Sequence, residues 1–104
     1  MGGIASLFSS VEVDVKNGIC KIDQVPYPIV GFGTYLLTGT TCRRAVAQAS
    51  RIGYRIIDTA TYYRNFDGIA KGLEDEDRSQ FYLISKVWYD EQSPEDLQRE
   101  LTLL

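Results

Sequence analysis

Gly53-Tyr54-Arg55-Ile56-Ile57-Asp58 is the stretch that decides the fold. A glycine, able to adopt the left-handed conformation, stops one periodic segment. A short apolar run ending in an aspartate follows at once, too short for a helix, so Tyr54 to Asp58 reads as a strand. Upstream, Thr40 or Thr41 can cap a helix whose apolar residues fall at Cys42, Ala45, Val46 and Ala49. That is the i, i+3, i+4, i+7 spacing of one buried face. Downstream, a shorter helix starts near Asp67 and turns Ile69, Ala70 and Leu73 inward. The same alternation extends both ways. Ile29 to Gly33 reads as an earlier short buried strand. Phe81 to Trp88 reads as a later one, apolar enough to be buried on both faces. Ser93-Pro94-Glu95-Asp96 opens a last helix with a capping box and a proline at its first position. Leu97, Leu101 and Leu104 would be its buried side. Strand and helix alternate in this way through an α/β pattern, which implies a parallel sheet with helical crossovers.

The N-terminal part has a different period. Val11-Glu12-Val13-Asp14-Val15 alternates with period two, Asn17-Gly18 follows, and Ile19-Cys20-Lys21-Ile22 returns. Asn-Gly suits a two-residue type I′ turn, so the segment reads as a β-hairpin. That register sets Val15 opposite Cys20, Val13 opposite Ile22 and Asp14 opposite Lys21, the last an opposite-charge pair. Val25-Pro26-Tyr27-Pro28 would then break the strand. Residues 1–10 have no basic residue and too short an apolar stretch for a signal peptide. They read as a flexible leader, although Met1-Gly2-Gly3-Ile4-Ala5-Ser6 also fits the myristoylation pattern. The structured domain is expected over 11–104.

Composition excludes several function classes. Of the 104 residues, 44% are hydrophobic and 24% charged, ordinary for a globular chain. Lys plus Arg is 11 against 14 for Asp plus Glu, a formal charge of −3 with no basic tract. No nucleic-acid partner is expected. No apolar run approaches the roughly 18–20 residues of a membrane-spanning helix, so no membrane partner is expected either. With no secretory signal, the expected location is the cytoplasm and Cys20 and Cys42 read as reduced buried thiols. The chain contains no histidine. That removes a Ser-His-Asp triad, a Cys-His pair and any histidine-ligated metal, and no metal site is assigned. Glu74-Asp75-Glu76-Asp77 reads as a solvated helix end and turn.

Three polar residues stand where α/β sheets carry function, at strand ends and the loops after them. Asp58 ends one strand, Lys86 lies near the end of the next, and Tyr63 sits in the loop after Asp58. Neighbouring strands lie about 4.8 Å apart, so these side chains can meet. Lys86 would favour the tyrosinate form of Tyr63, and Asp58 would hold the lysine charged and oriented. A tyrosine so placed could protonate a carbonyl oxygen while hydride arrives at carbon. The spacing alone is better served by a buried Asp–Lys pair above a sheet with Tyr63 as packing. Two dehydrogenase patterns do not fit. Tyr82 and Lys86 have the Y-x-x-x-K spacing but lie on a strand, where four residues span about 13 Å. Gly31-x-Gly33 lacks the third glycine of a Rossmann fingerprint.

The segment Gly53-Tyr54-Arg55-Ile56-Ile57-Asp58-Thr59-Ala60-Thr61-Tyr62-Tyr63-Arg64-Asn65 resembles the G-Y-R-x-[IL]-D-T-A-x-x-Y-x-N signature of aldo-keto reductases. Gly31-Phe32-Gly33-Thr34-Tyr35 resembles that family's first-strand motif, and Ser85-Lys86-Val87-Trp88 its [ST]-K-[VL]-W. The leading hairpin is similar to the one that closes the bottom of the family's barrel. The resemblance runs from about Val13 to Leu104. It implies the first three βα units of a (β/α)8 TIM barrel, preceded by a β-hairpin, and NADPH-dependent reduction of an aldehyde or ketone. It implies Tyr63 as general acid, Lys86 as the lysine beside it and Asp58 as the lysine's partner. It further implies Gly33, Thr34 and Asp58 at the NADPH cofactor, with Tyr35 and Trp88 as walls for a small-molecule carbonyl substrate.

Asn65 is followed here by Phe66, where the family commonly has glutamate. The histidine that the family carries at the end of its fourth strand has no counterpart. A (β/α)8 barrel takes about 250 residues. The 104 residues are therefore read as a partial, truncated domain whose partner would be the C-terminal portion of the barrel. Alone, such a chain is expected to be inactive and to expose apolar sheet edge. The alternative is a split, catalytically inactive fragment or a non-catalytic binding subunit of the same family.

Overall fold

Two compact units divide the chain, Met1–Val30 and Gly31–Leu104. The structure, a computed structural model, describes residues 10–87, 89–90 and 92–103. The expected leader and its myristoylation pattern thus lie, Ser10 apart, outside the described residues, as do Trp88 and Leu104.

The first unit holds an antiparallel sheet of β1 (Val11–Asp14), β2 (Ile19–Ile22) and β3 (Val25–Pro28), in that order. Its register differs from the expected one. Val13 lies opposite Cys20, and Glu12, not Asp14, opposite Lys21. The connection is a four-residue turn, Val15 to Gly18, rather than Asn17-Gly18 alone. Asp14 explains it. Its carboxylate accepts from the Asn17 backbone N–H at 3.2 Å and from Asn17 Nδ2 at 2.7 Å. The Gly18 N–H closes the turn onto Val15 O at 3.2 Å, with Gly18 at φ 65°. A side chain that bonds its own turn outcompetes the two-residue geometry.

The tight turn is instead the next one. Ile22 pairs with Val25, leaving Asp23 (φ 49°) and Gln24 (φ 73°) as a two-residue connection with both angles positive. Two positive angles define type I′, whose twist matches that of the strands it joins. The segment read as a break, Val25-Pro26-Tyr27-Pro28, is accordingly a strand. Its prolines are tolerated because β3 is an edge strand. The alternation of antiparallel bonding from the turn outward also places Pro26 and Pro28 at positions that donate nothing to β2.

The second unit holds three parallel strands in the order β4 (Gly31–Gly33), β5 (Ile56–Asp58) and β6 (Tyr82–Ile84). They are joined by α1 (Gly39–Ile52) and α2 (Phe66–Gly72), and α3 (Pro94–Leu103) follows β6. The register sets Gly33 beside Asp58 and Asp58 beside Ile84. Each strand is shorter than the sequence suggested.

The link between α1 and β5 shows why Gly53-Tyr54-Arg55 has its composition. Gly53 takes φ 113°, and its N–H returns to Ala49 O and Ser50 O. Arg55 Nη1 then donates to Ser50 O at 3.0 Å and Tyr54 O at 2.7 Å. It adds a second donor to the Ser50 carbonyl in the last turn of the helix, beside the Gly53 N–H. The Arg55 guanidinium lies 5.1 Å from the Phe81 ring centroid, and Tyr54 packs against Phe32 at 5.7 Å.

The core sits between the sheet and the first two helices, with Cys42, Val46, Ile57, Ile69 and Phe81 buried. Burying a side chain such as Ile57 or Val46 contributes about 1.5–3 kcal/mol. Burial pushes the Cys42 thiol up from its ordinary pKa, and the charge of Asp67 adds to this. It is a packing residue. Cys20 is free and half-buried rather than buried.

Several expected faces shift. α1 starts at Gly39 after Thr38, without a side-chain cap, so neither Thr40 nor Thr41 caps it. Ser50 joins Cys42, Val46 and Ala49 as buried, while Ala45 is half-buried. In α2 the inward face is Gly68 and Ile69, and Ala70 is exposed. The glycines decide this. A Cβ on Gly68 would lie 2.9 Å from Cys42 Cβ, and one on Gly72 would lie 2.9 Å from Arg43 O and from Val46 Cβ. The helices meet backbone to backbone along the side where the sequence has no side chain.

In β6 Leu83 packs toward the core while Tyr82 and Ile84 are exposed. α3 is capped by Ser93, whose Oγ accepts from the Asp96 N–H at 3.1 Å, yet Leu97 and Leu101 are exposed rather than buried. The acidic run Glu74 to Asp77 is exposed, and Asp77 accepts from Ser79 N and Oγ at the turn before β6.

Candidate active site

Parallel strands all end at the same side of a sheet, so chain order alone brings the ends of β4, β5 and β6 together. Backbone bonds continue past the strands. The Thr59 N–H donates to Ile84 O at 2.8 Å, and the Thr61 N–H to Lys86 O at 3.0 Å. Thr61 Oγ1 adds a second bond to Lys86 O at 3.3 Å. This pairing carries Lys86 alongside Asp58, and its Nζ donates to Asp58 Oδ1 at 2.5 Å. The side chains are 49% and 41% exposed, so the pair is half-solvated and not the buried pair of the packing alternative. The Asp58 hydrogen bond holds the Lys86 ammonium above the ordinary lysine pKa, with smaller contributions from the Asp58 charge and from Tyr63.

Tyr63 ends a single 3₁₀ turn, Thr61–Tyr63, which Arg64 closes at φ 52°. Lys86 Nζ stands 5.5 Å from the Tyr63 ring centroid. Tyr35 reaches over from the loop after β4, its ring 5.2 Å from that of Tyr63 and tilted by 50°. Asp58, Tyr63, Lys86 and Tyr35 are therefore one group. Tyr35 is 63% exposed, so its outer face is open.

The remaining expected residues take different places. Gly33 lies beside Asp58 at the end of β4, and a Cβ there would meet nothing within 4 Å. Thr34 is fully buried. Its N–H and its Oγ1 both donate to Asp58 O, each at 3.0 Å. Both bonds hold the backbone carbonyl of Asp58. Trp88 lies outside the described residues. Lys86 also borders a cleft of about 390 Å³, shared with Thr61, Val87, Leu97 and Leu101.

Sequence reasoning missed the role of Asn65. It is fully buried and joins the loops after β4 and β5. Nδ2 donates to Thr34 O at 2.9 Å, Thr34 Oγ1 at 3.0 Å and Leu37 O at 3.0 Å. Oδ1 accepts from Thr59 Oγ1 at 2.7 Å. The only sequence signal was an asparagine two places after the candidate acid.

No family model matches the chain. Among curated proteins the chain is similar to the glyoxal reductase of Bacillus subtilis (strain 168), 34% identical over 88 residues, covering 82% of this chain and 32% of that protein. It is also similar to the NADPH-dependent D-xylose reductase of Candida boidinii, 29% identical over 95 residues, 86% of this chain and 28% of that protein. Among solved structures it resembles an aldo/keto reductase from Brucella melitensis with a TM-score of 0.69 and 33% identity. That match covers 79% of this chain and 33% of the other. The chain thus spans about a third, or less, of the relatives it matches.

Proposed function

The chain matches the N-terminal portion of aldo-keto reductases over most of its length, and from that we propose that it supplies the proton-donating half of a carbonyl-reducing site. On this reading β4 to β6 and their helices are the first three βα units of a (β/α)8 barrel, and the β1–β3 sheet corresponds to the family's leading hairpin. The observation that carries the proposal is the meeting of Asp58, Lys86 and Tyr63 at the ends of adjacent parallel strands.

Tyr63 donates its hydroxyl proton to the oxygen of an aldehyde or ketone. The Lys86 ammonium near its ring stabilises the negative charge that develops on Oη as the proton leaves. Asp58 keeps that ammonium charged and in place. A positioned acid of this kind contributes about 10²–10⁴-fold to a rate. The open face of Tyr35 would take the substrate's side chain.

The residues present fit the nicotinamide end of NADPH. Gly33 leaves open space beside Asp58, and the half-exposed Asp58–Lys86 pair supplies polar contacts next to it. Gly33 and Asp58 would hold that end, with Thr34 fixing the Asp58 backbone. When bound, NADPH supplies the hydride that the carbonyl carbon receives. No metal takes part in this reading.

One observation favours a second statement about the 104 residues taken alone. Among the described residues, Ile84 of β6 and Leu97 and Leu101 of α3 expose apolar side chains. We propose that the 104 residues by themselves do not turn over substrate, and that these exposed side chains need the remaining part of a barrel.

The test joins this chain to the part of the Bacillus subtilis relative that follows its matched segment. NADPH consumption is then measured with small aldehydes. The joined protein should consume NADPH, Tyr63→Phe should lower kcat by about 10²–10⁴ while NADPH binding persists, and the 104 residues alone should be silent. Full turnover in the Tyr63→Phe protein would remove the assignment.

A further inference from the structure

We propose that Asn65 is a positioning residue for the proton donor. Its buried amide clamps the segment bearing Tyr35 to the segment bearing Tyr63, and so sets the contact between the two rings.

The bonds assign the amide without ambiguity. Thr34 O and Leu37 O are carbonyls and can only accept, so Nδ2 must face them. The Thr34 hydroxyl spends its proton on Asp58 O, so it too must accept from Asn65. Oδ1 then faces Thr59 Oγ1, which donates. Two N–H groups serve three acceptors on one loop, and one oxygen takes a donor from the other. An aspartate would place a carboxylate against three acceptors. An alanine would leave buried carbonyls with fewer donors and a buried hydroxyl without its acceptor.

What the amide holds is not general scaffold. Thr34 O belongs to the peptide that leads into Tyr35, and Leu37 O closes the far side of the same tip. Between them Leu36 sits at φ 67°, a sparsely populated conformation for a residue with a side chain. Leu36 is 78% exposed, so its own packing does not hold it there. Such strain persists only where the surroundings over-determine it. The Leu37 N–H to Thr34 O bond of 3.0 Å and the Asn65 amide on both carbonyls supply that constraint. At its other end Asn65 grips Thr59, the residue after Asp58, and stands two places from Tyr63. One side chain thus spans both ends of the loop that carries the acid and both ends of the tip that covers it.

This role rests on the reading of Tyr63 as proton donor, and the test separates the two. The nuclear Overhauser contact between the Tyr35 and Tyr63 rings is measured in the 104-residue chain for Asn65→Ala, Thr59→Val and Val46→Ala. The last removes buried volume from the core and makes none of the Asn65 hydrogen bonds. Folded fractions are matched with denaturant. Asn65→Ala should lose the ring contact and Thr59→Val should weaken it, while Val46→Ala keeps it. A native-strength contact in folded Asn65→Ala overturns the proposal. If that variant does not fold, a native-strength contact in Thr59→Val does the same. In the joined protein, Asn65→Ala should lower kcat about tenfold or more with KM little changed, since a misplacement near 1 Å costs up to about 10²-fold. An equal fall in kcat for Val46→Ala would make the effect merely structural and also overturn the proposal. Absence of turnover in the unmutated joined protein would remove the carbonyl-reducing reading, with the ring contact still deciding whether Asn65 positions it.

Discussion

Lys86 gains its place from Asp58, and its titration should show it. The hydrogen bond to Asp58 raises the folded pKa of the ammonium. A raised lysine contributes stability that is fully present below the unfolded value, about 10.4. That contribution is lost as pH climbs through the folded value. Because the pair is half-exposed, solvent screens it and its share of stability is small. Asp58→Asn should therefore return the Lys86 midpoint toward about 10.4, read from its side-chain NMR signals, with little change in stability at neutral pH. An unchanged midpoint would show that Asp58 is not the cause. Asp58, Tyr63 and Lys86 were legible as residues at strand ends. The spatial meaning of Asn65 was not, because its partners Thr34 and Leu37 lie 31 and 28 residues away.

At the scale of elements, α1 and α2 meet through glycine. Gly72→Ala would put a Cβ 2.9 Å from Arg43 O, a backbone atom that cannot rotate away. Overpacking of this kind costs about 1–3 kcal/mol, against at most about 1 kcal/mol from better helix propensity. The urea midpoint should fall. Gly33→Ala, with open space at its Cβ, should stay within about 0.5 kcal/mol of the parent. A rise in midpoint for Gly72→Ala would mean that the seam is looser than its distances. Apolar periodicity identified the buried side of α1 well, since Cys42, Val46 and Ala49 recur on one face. It misjudged Ala70 because it counts side chains, and the close face of α2 is marked by their absence.

For the molecule as a whole, burial is unevenly shared. No described residue of 10–30 is buried, whereas Ile57 and Val46 are fully so. Local opening needs least free energy where few apolar contacts form. Amide hydrogen exchange should accordingly be faster in β1 to β3 than at Ile57 and along α1. Equal protection across both units would contradict this. By itself the sequence determined the alternation of strands and helices and the gathering of Asp58, Tyr63 and Lys86 at one end of a sheet. Those follow from local period and chain order, and parallel strands joined by helices leave no other side for the loops. The tertiary structure alone decided the register of the N-terminal sheet, the glycine seam and the Asn65 clamp. Each depends on which buried or turn-forming group finds a partner, and a hydrogen bond between groups 31 residues apart leaves no periodic trace in the chain.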